Sequence, residues 1–390
     1  MMSGLFLIAA RNLGRNWLRT ILTVLGASVA LIAFVMLRTV LSSWEVGAEY
    51  AAKDRLGTRH KVSFIMQLPR RYVDDIRNVP GVKQATWANW FGGKDPGKPN
   101  EFFATLAVDA PSFLPVMDEL VLDEESKARW LGDKKGAIVG DVLAKKLNLK
   151  VGDKYILQGS IYPGDWEFQI DGIYTAARKS LDRSQFLFHW SYMNDALPER
   201  RKDTIGWVMT RVEDPSQSAD ISAKVDKIFD ERDTQTVTMS ERNMQLSFMA
   251  MFGAILTVLD IVSVIILIIM LMILGNTIAM GVRERTREYA VLRAIGFLPW
   301  HIRFFVLGEA VVLGIIAGAV GVGIAYPFVN GLMGKAIEEN MSAWFPYFRV
   351  EPQVAIAAGV IAIVLSTTAA LIPAIQAGRI SVTDALRRVG

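Results

Sequence analysis

The chain has 390 residues, 52% of them hydrophobic and 21% charged, with a mean hydropathy of +0.28. That is too apolar for disorder, and no heptad or Gly-X-Y period marks a coiled coil or collagen. Cysteine is absent, which removes disulfides, thiolate metal sites, iron–sulfur clusters and cysteine nucleophiles together. The net charge of +4 is small, so where the charges lie matters more than their sum.

Residues 1–19 read as a cytoplasmic amphipathic N-terminal helix carrying Arg11, Arg15 and Arg19. Residues 20–43 form the first transmembrane helix, apolar from Thr20 to Leu41 apart from Arg38. Its apolar run is too long for a cleaved signal. Residues 44–247 are a mixed α+β domain in which short strands alternate with short helices and Gly/Pro turns. The pattern predicts strands at His60–Gln67, Val82–Trp90, Phe102–Val108, Gly136–Val139, Lys154–Leu157, Phe168–Tyr174 and Trp207–Val212. It predicts helices at Arg71–Asn78, Asp141–Leu147 and Ser218–Asp230. Ser240 can cap a helix that either runs straight into the second span as a stiff link or merely abuts the membrane. The second span covers 248–280, with Asp260 inside it, and a cytoplasmic loop covers 281–303. The third span covers 304–333 with one charge, Glu309. A short outer loop (334–353), an uncharged fourth span (354–377) and a cytoplasmic tail (378–390) complete the chain. About 20 helical residues cross ~30 Å of hydrocarbon, and each run reaches that. The fold class is therefore a membrane α-helical protein with four transmembrane helices and a large extracytoplasmic α+β domain inserted between helices 1 and 2.

Lys and Arg set the orientation. The segments before span 1, between spans 2 and 3, and after span 4 hold eleven basic and three acidic residues; the loop between spans 3 and 4 has net charge −1. Both termini and the 281–303 loop are expected in the cytoplasm, with the large domain outside. Residues 45–247 hold 29 basic and 31 acidic residues, so no field attracts nucleic acid.

Chemical motifs are few. Gly92 to Pro99 nearly matches a phosphate-binding loop, but Pro99 stands where a Ser or Thr would hold magnesium and no helix follows. His60, His189 and His301 fit no metal spacing. Asp74/Asp75, Asp118/Glu119 and Asp123–Glu125 are sequence neighbours that point apart, which reads as solvated faces. No G-x-S-x-G is present. No catalytic, cofactor-binding or metal site is expected. Trp87, Trp90, Phe91, Phe102 and Phe103 read as core, with contact to a greasy cargo as the other reading.

Charges inside spans are functional candidates by default. Asp260 is expected to pair with Arg38, and Glu309 to cap or pair near Arg303. Gly314 and Gly318, at the small-xxx-small spacing, mark a close helix–helix contact. Between spans 2 and 3, Tyr289, Leu292 and Ile295 recur at helical spacing among mixed charges, and Gly296 and Pro299 end the helix. A narrow apolar stripe with charges of both signs favours a protein groove over a lipid surface.

At these residues the chain resembles the MacB/FtsX-type permeases, the class VII ABC-transporter transmembrane subunits. Ala10-Arg-Asn-Leu13 and Arg19-Thr-Ile-Leu-Thr-Val-Leu-Gly26 resemble the family's opening helix and first span. Arg285 to Gly296 resembles its coupling helix. Pro373-Ala-Ile-Gln-Ala377, with Ile380 and Ala385-Leu-Arg387, resembles its closing signature. Val79-Pro-Gly-Val82, Val139 to Ala144 and Leu149 to Asp153 resemble its MacB-like periplasmic core domain.

The resemblance implies a permease that pairs with a second copy or paralogue and binds an ABC ATPase subunit. ATP and magnesium would sit in that separate ATPase, with no cofactor in this chain. Glu284, Arg287, Glu288, Leu292, Arg293 and Gly296 would form the ATPase-coupling helix. The work would drive efflux or lipoprotein and lipid extraction outside the lipid bilayer, with a membrane-fusion adaptor or carrier protein as a further partner. The alternative is a membrane-anchored sensor or scaffold whose outer domain binds a ligand.

Overall fold

The computed structural model describes residues 16–49, 51–98, 101–177, 181–340, 345 and 347–380. Residues 1–15, where the N-terminal amphipathic helix is expected, lie outside this set, as do Pro99 and Ala385–Arg387. The chain divides into two compact units. Among the described residues four helices are long and apolar enough to cross a membrane: 17–43 within the first helix, Gly253–Glu284, Pro299–Glu339 and Pro352–Gly378.

The elements, in chain order, are α1 (Trp17–Glu49), β1 (Arg55–His60), β2 (Leu68–Pro69), α2 (Tyr72–Arg77), β3 (Val82–Trp90), β4 (Gly93–Lys94), β5 (Thr105–Val108), α3 (Ala110–Val116), β6 (Leu120–Val121) and α4 (Glu124–Gly132). There follow β7 (Gly136–Gly140), α5 (Asp141–Leu147), β8 (Lys154–Gly159), β9 (Gly164–Ala176), β10 (Phe186–His189), α6 (Trp190–Ala196), β11 (Thr204–Ile205), β12 (Trp207–Val212), α7 (Ser218–Phe229), β13 (Thr236–Ser240) and α8 (Glu241–Ala250). The last five are α9 (Gly253–Glu284), α10 (Thr286–Ala294), α11 (Pro299–Pro327), α12 (Gly334–Asn340) and α13 (Pro352–Gly378), with a π-helical turn, Phe328–Met333, after α11.

The domain between α1 and α9 is a large mixed α/β structure. Its main sheet runs β13-β1-β12-β3-β5-β10-β7-β9-β8-β4, with β6 attached to β9. Pairing is antiparallel from β13 to β5, parallel at β5–β10 and β7–β9, and antiparallel elsewhere. Parallel neighbours require crossovers, which the short helices supply. The core fills around Phe91, with Trp166 at 5.3 Å and Phe188 at 5.0 Å set edge to face, the favoured aromatic geometry. Trp87, Phe91 and Phe103 are buried here, whereas Phe102 is exposed.

The first strand differs from expectation. His60–Gln67 was the predicted strand; the strand is Arg55–His60, and 61–67 is a loop. Val62, Phe64 and Met66 alternate as a strand would. Yet it is the polar Arg-Leu-Gly-Thr-Arg-His segment that is sandwiched between β12 and β13 and owes its strand conformation to those two partners. Ser240 caps α8, its hydroxyl accepting from the Asn243 amide at 3.3 Å. That helix does not run straight into the next: Met251 and Phe252 form a turn before α9.

Candidate functional site

The helix α10 is short, and its two faces differ. Tyr289 and Ala290 are buried, and Leu292 is half-buried against a core formed by Ile278, Val306 and Ala374 of α9, α11 and α13. Arg287, Glu288, Val291 and Ile295 are exposed, Ile295 at 68%. At about 100° per residue, Ile295 sits some 240° around the helix from Tyr289, so the two cannot share a stripe. The expected stripe Tyr289–Leu292–Ile295 is therefore split. Leu292 and Arg293 lean inward, and the outward apolar residues are Val291 and Ile295, four apart. That spacing, with Glu288 and Arg287 beside it, was the sequence signal for the outer face. Burial, with the Glu309 carboxylate nearby, pushes the Tyr289 phenol up to about 12. It therefore packs as a neutral ring. Gly296 ends the helix with φ at +102°, a conformation that L side chains resist, and its amide bonds the Arg293 carbonyl at 3.2 Å. Pro299 then opens α11 at its first turn.

Two ion pairs flank this seat. Glu284, the last residue of α9, accepts from Arg19 and, at 3.1 Å, from Asn16 Nδ2. Arg285 Nη1 donates to Glu309 Oε2 at 2.8 Å, both side chains largely buried. Glu309 thus pairs with Arg285 rather than with Arg303, the basic residue nearest to it in sequence. A cleft at these helix ends is lined by Arg19, Thr277, Gly281, Arg285, Val306 and Glu309. Farther along the same helices, Arg38 Nη1 meets Asp260 Oδ1 at 2.7 Å. Thr23 donates to Thr277 at 3.0 Å between them. Residues 19, 23 and 38 therefore face 284, 277 and 260, an antiparallel pairing of α1 with α9.

Gly314 and Gly318 lie on α11 against α13 of the same chain. A Cβ on Gly314 would stand 2.1 Å from Ser366 Oγ and 2.9 Å from the Ala362 carbonyl oxygen; one on Gly318 would touch Ala362 Cβ at 3.3 Å. The small-residue motif closes an internal helix contact.

The remaining candidates resolve structurally. The loop after Gly92 leads to no helix among the described residues, and Asp95 Oδ1 accepts from its own Gly97 amide at 2.8 Å. His189 Nε2 lies 2.6 Å from the Trp130 carbonyl oxygen, and His60 Nδ1 accepts from the Val62 amide at 3.1 Å. Among the described residues no cluster of three His, Cys, Asp or Glu could hold a metal. Asp123 caps α4 through the Ser126 amide. Glu119 departs from the expected solvated face: it is buried and grips Arg55, whose guanidinium also grips Glu241. No local pattern marks this cluster, because its members come from positions 55, 119 and 241.

Residues 261–382 match the family model described as FtsX-like permease C-terminal. The match takes in most of α9, all of α10, α11 and α13, and with them Arg285–Gly296 and Pro373–Ala377, two of the segments that carried the resemblance. The chain is similar to the extracellular domain of the ABC-type transporter YknZ from Gram-positive bacteria, at 11% identity and a TM-score of 0.36, covering 48% of this chain and 100% of that one. It is also similar to the periplasmic region of MacB from Actinobacillus actinomycetemcomitans, at 10% identity and a TM-score of 0.37, covering 50% of this chain and 92% of that one. No curated protein matches the chain in sequence.

Proposed function

We propose that the chain is the transmembrane permease of an ABC transporter, and that α10 is the helix through which a separate ATPase subunit drives it. The observation that carries this reading is the two-faced seat of α10. Its inner face, Tyr289 and Leu292, is keyed into the core of α9, α11 and α13. Its outer face offers Arg287, Glu288, Val291 and Ile295. Mixed charges around two exposed apolar side chains suit a groove on another protein. A push on that face reaches three spans at once, because close-packed interiors transmit displacement. The family match over 261–382 supports the same reading.

In this proposal α10 and both termini are cytoplasmic, following the basic excess of those segments. The domain between α1 and α9 stands outside the membrane and acts on cargo there. ATP and magnesium bind in the ATPase, the permease works as a pair with a second copy or paralogue, and an adaptor or carrier takes the cargo onward. The roughly 200 residues between α1 and α9 favour efflux or lipoprotein extraction over a signalling role that needs only a small outer domain.

The test is purification of the tagged full chain from its native membrane, followed by assay of co-purifying ATPase. Wild type is expected to bring down ATPase activity, and Val291→Glu with Ile295→Glu to lose it while the chain still migrates as a folded species. An undiminished ATPase in the double variant overturns the assignment of α10. A chain that brings down no ATPase at all favours the anchored sensor.

A further inference from the structure

The geometry points to the loop 61–67 as a lipid-contacting foot of the large domain, inserted into the outer-leaflet surface beside the point where the chain enters α9. The inference rests on the reading that α9 spans the membrane. It starts from where α8 leads. Glu241, the first residue of α8, holds Arg55 at the start of β1 through a 2.8 Å bond. Phe248, seven residues on, meets Phe64, four residues past the end of β1, ring edge to face at 5.7 Å. So α8 and β1 run in the same direction along the domain. Both arrive at one place, and five residues beyond Phe248 the chain begins α9. The loop after β1 is therefore held against a residue only five positions before the apolar span begins.

The loop is built to present apolar side chains there. Its ends are tied down: the Lys61 amide donates to the Gln235 carbonyl at 3.0 Å, and Gln67 Nε2 donates to the Tyr162 hydroxyl at 2.6 Å. Phe64 is the anchor, half-buried beneath the Arg59 guanidinium at 4.3 Å. On either side of it Val62 and Ile65 stand 77% and 79% exposed. Exposed large aliphatics in a pinned loop find a favourable environment at an acyl boundary, where their apolar surface leaves water. Arg59 and Lys61 at the base put cations at headgroup depth, as interfacial anchors do. A second protein could also cover two aliphatic tips. The lipid surface is favoured because the loop packs on Phe248, and the chain begins its apolar span only five residues beyond that contact.

The chain has no cysteine, so single cysteines can be placed cleanly. Val62→Cys, Ile65→Cys, Lys145→Cys on α5 and Ile265→Cys within α9 would each be spin-labelled in the full chain and reconstituted alone in nanodiscs. The measurement is the accessibility of each label to oxygen against a water-soluble nickel chelate. Labels at 62 and 65 are expected to show an oxygen-to-nickel ratio several-fold above that at 145 and below or near that at 265. If 265 reads as lipid while 62 and 65 match 145, the foot is overturned and the span stands. If 265 itself reads as water, the span reading falls and the foot with it. Mutual broadening of the labels at 65 without a raised oxygen ratio means a second copy covers the loop, and overturns the lipid assignment.

Discussion

Replacing the buried Arg55 by Met should strongly destabilise the large domain. The guanidinium is 2% exposed. It makes four bonds to carboxylates: Nε and Nη2 to Glu241 at 2.8 and 2.9 Å, and Nη1 and Nη2 to Glu119 at 2.6 Å each. Nη1 also donates to the Val116 carbonyl at 3.1 Å. Burial alone would lower the arginine's proton affinity, but the bonds to Glu119 and Glu241 outweigh it and raise it. Met fills much of the volume and removes the cation, leaving two buried carboxylates facing each other. Breaking a buried pair by removing one partner costs about 3–5 kcal/mol. For a domain of this size that is a fall in melting temperature of roughly 10 °C, at about 2–4 °C per kcal/mol. The assay is thermal unfolding of the detergent-solubilised full chain, read by the fluorescence of Trp87, Trp130, Trp166 and Trp190, all buried in the domain. A triple variant, Arg55→Met with Glu119→Gln and Glu241→Gln, removes the charges together and should recover more than half of the loss. An Arg55→Met protein within about 1 kcal/mol of wild type, or a triple variant worse than the single, refutes the reasoning.

Burial first, and then the neighbouring Asp133, raise the Asp171 carboxyl to about 6, with Arg129 opposing. A folded value above the unfolded one gives stability below the unfolded value that is lost as pH rises through about 6. Asp171→Asn should therefore leave the domain's stability nearly unchanged at about pH 3 and raise it at pH 8 by up to about 3 kcal/mol; melting curves across that range decide it. Gly314→Val should separate α11 from α13 and cost about 1–3 kcal/mol or more of stability in detergent, whereas Gly323→Ala, whose added methyl meets nothing within 4 Å, should be neutral. Arg38→Ala and Asp260→Ala should each lower the yield of folded protein in the membrane, and the double variant should exceed both singles if the pair is coupled; additive losses show that it is not. Glu309→Gln should weaken the hold of Arg285 at the root of α10 and reduce coupled ATPase without releasing the partner, a split readable as lower turnover at unchanged co-purification.

The spans were legible because an apolar run of 20 or more residues has few alternatives in a folded chain. The strand β12 and the helix α5 lie at the residues their local pattern predicts, Trp207–Val212 and Asp141–Leu147. The losses share one cause. The segment β1 is polar and becomes a strand only between two partners more than 140 residues away, and β10, four residues long, was invisible as a strand though every residue of it is buried. Likewise Glu119 looked like a surface acid beside Asp118. Asp118 does face outward to Arg211, while its neighbour turns in to Arg55. At the α10 site the residue types were legible and the faces were not. An amphipathic pattern gives a period, and here both faces carry apolar side chains, so only the packing of Tyr289 against α9 and α11 fixes which is inward.

The placement of charge suggests how motion would travel. Arg19 with Glu284 and Arg38 with Asp260 tie α1 to α9 at two heights along their antiparallel contact. Glu241 then bonds both Arg55 and the Ala52 amide, the latter at 2.9 Å. That fastens the chain that has left α1 to the chain about to enter α9. Charge pairs within a span are costly, and those near water contribute little each. A series of them along one helix pair is poorly explained by stability alone. It does fix the register of α1 against α9, which is what a lever requires: a helix that slid by one turn, 5.4 Å, would break every pair at once. Register fixed at these points leaves concerted movement of α1 and α9 as the low-energy response to a push at α10. In the proposed cycle a one-turn register shift is therefore not expected. Cysteines placed at Thr23 and Thr277, whose hydroxyls are 3.0 Å apart, should crosslink without stopping it. Arrest of coupled ATPase by that crosslink, reversed by reductant, would mean that α1 and α9 slide after all.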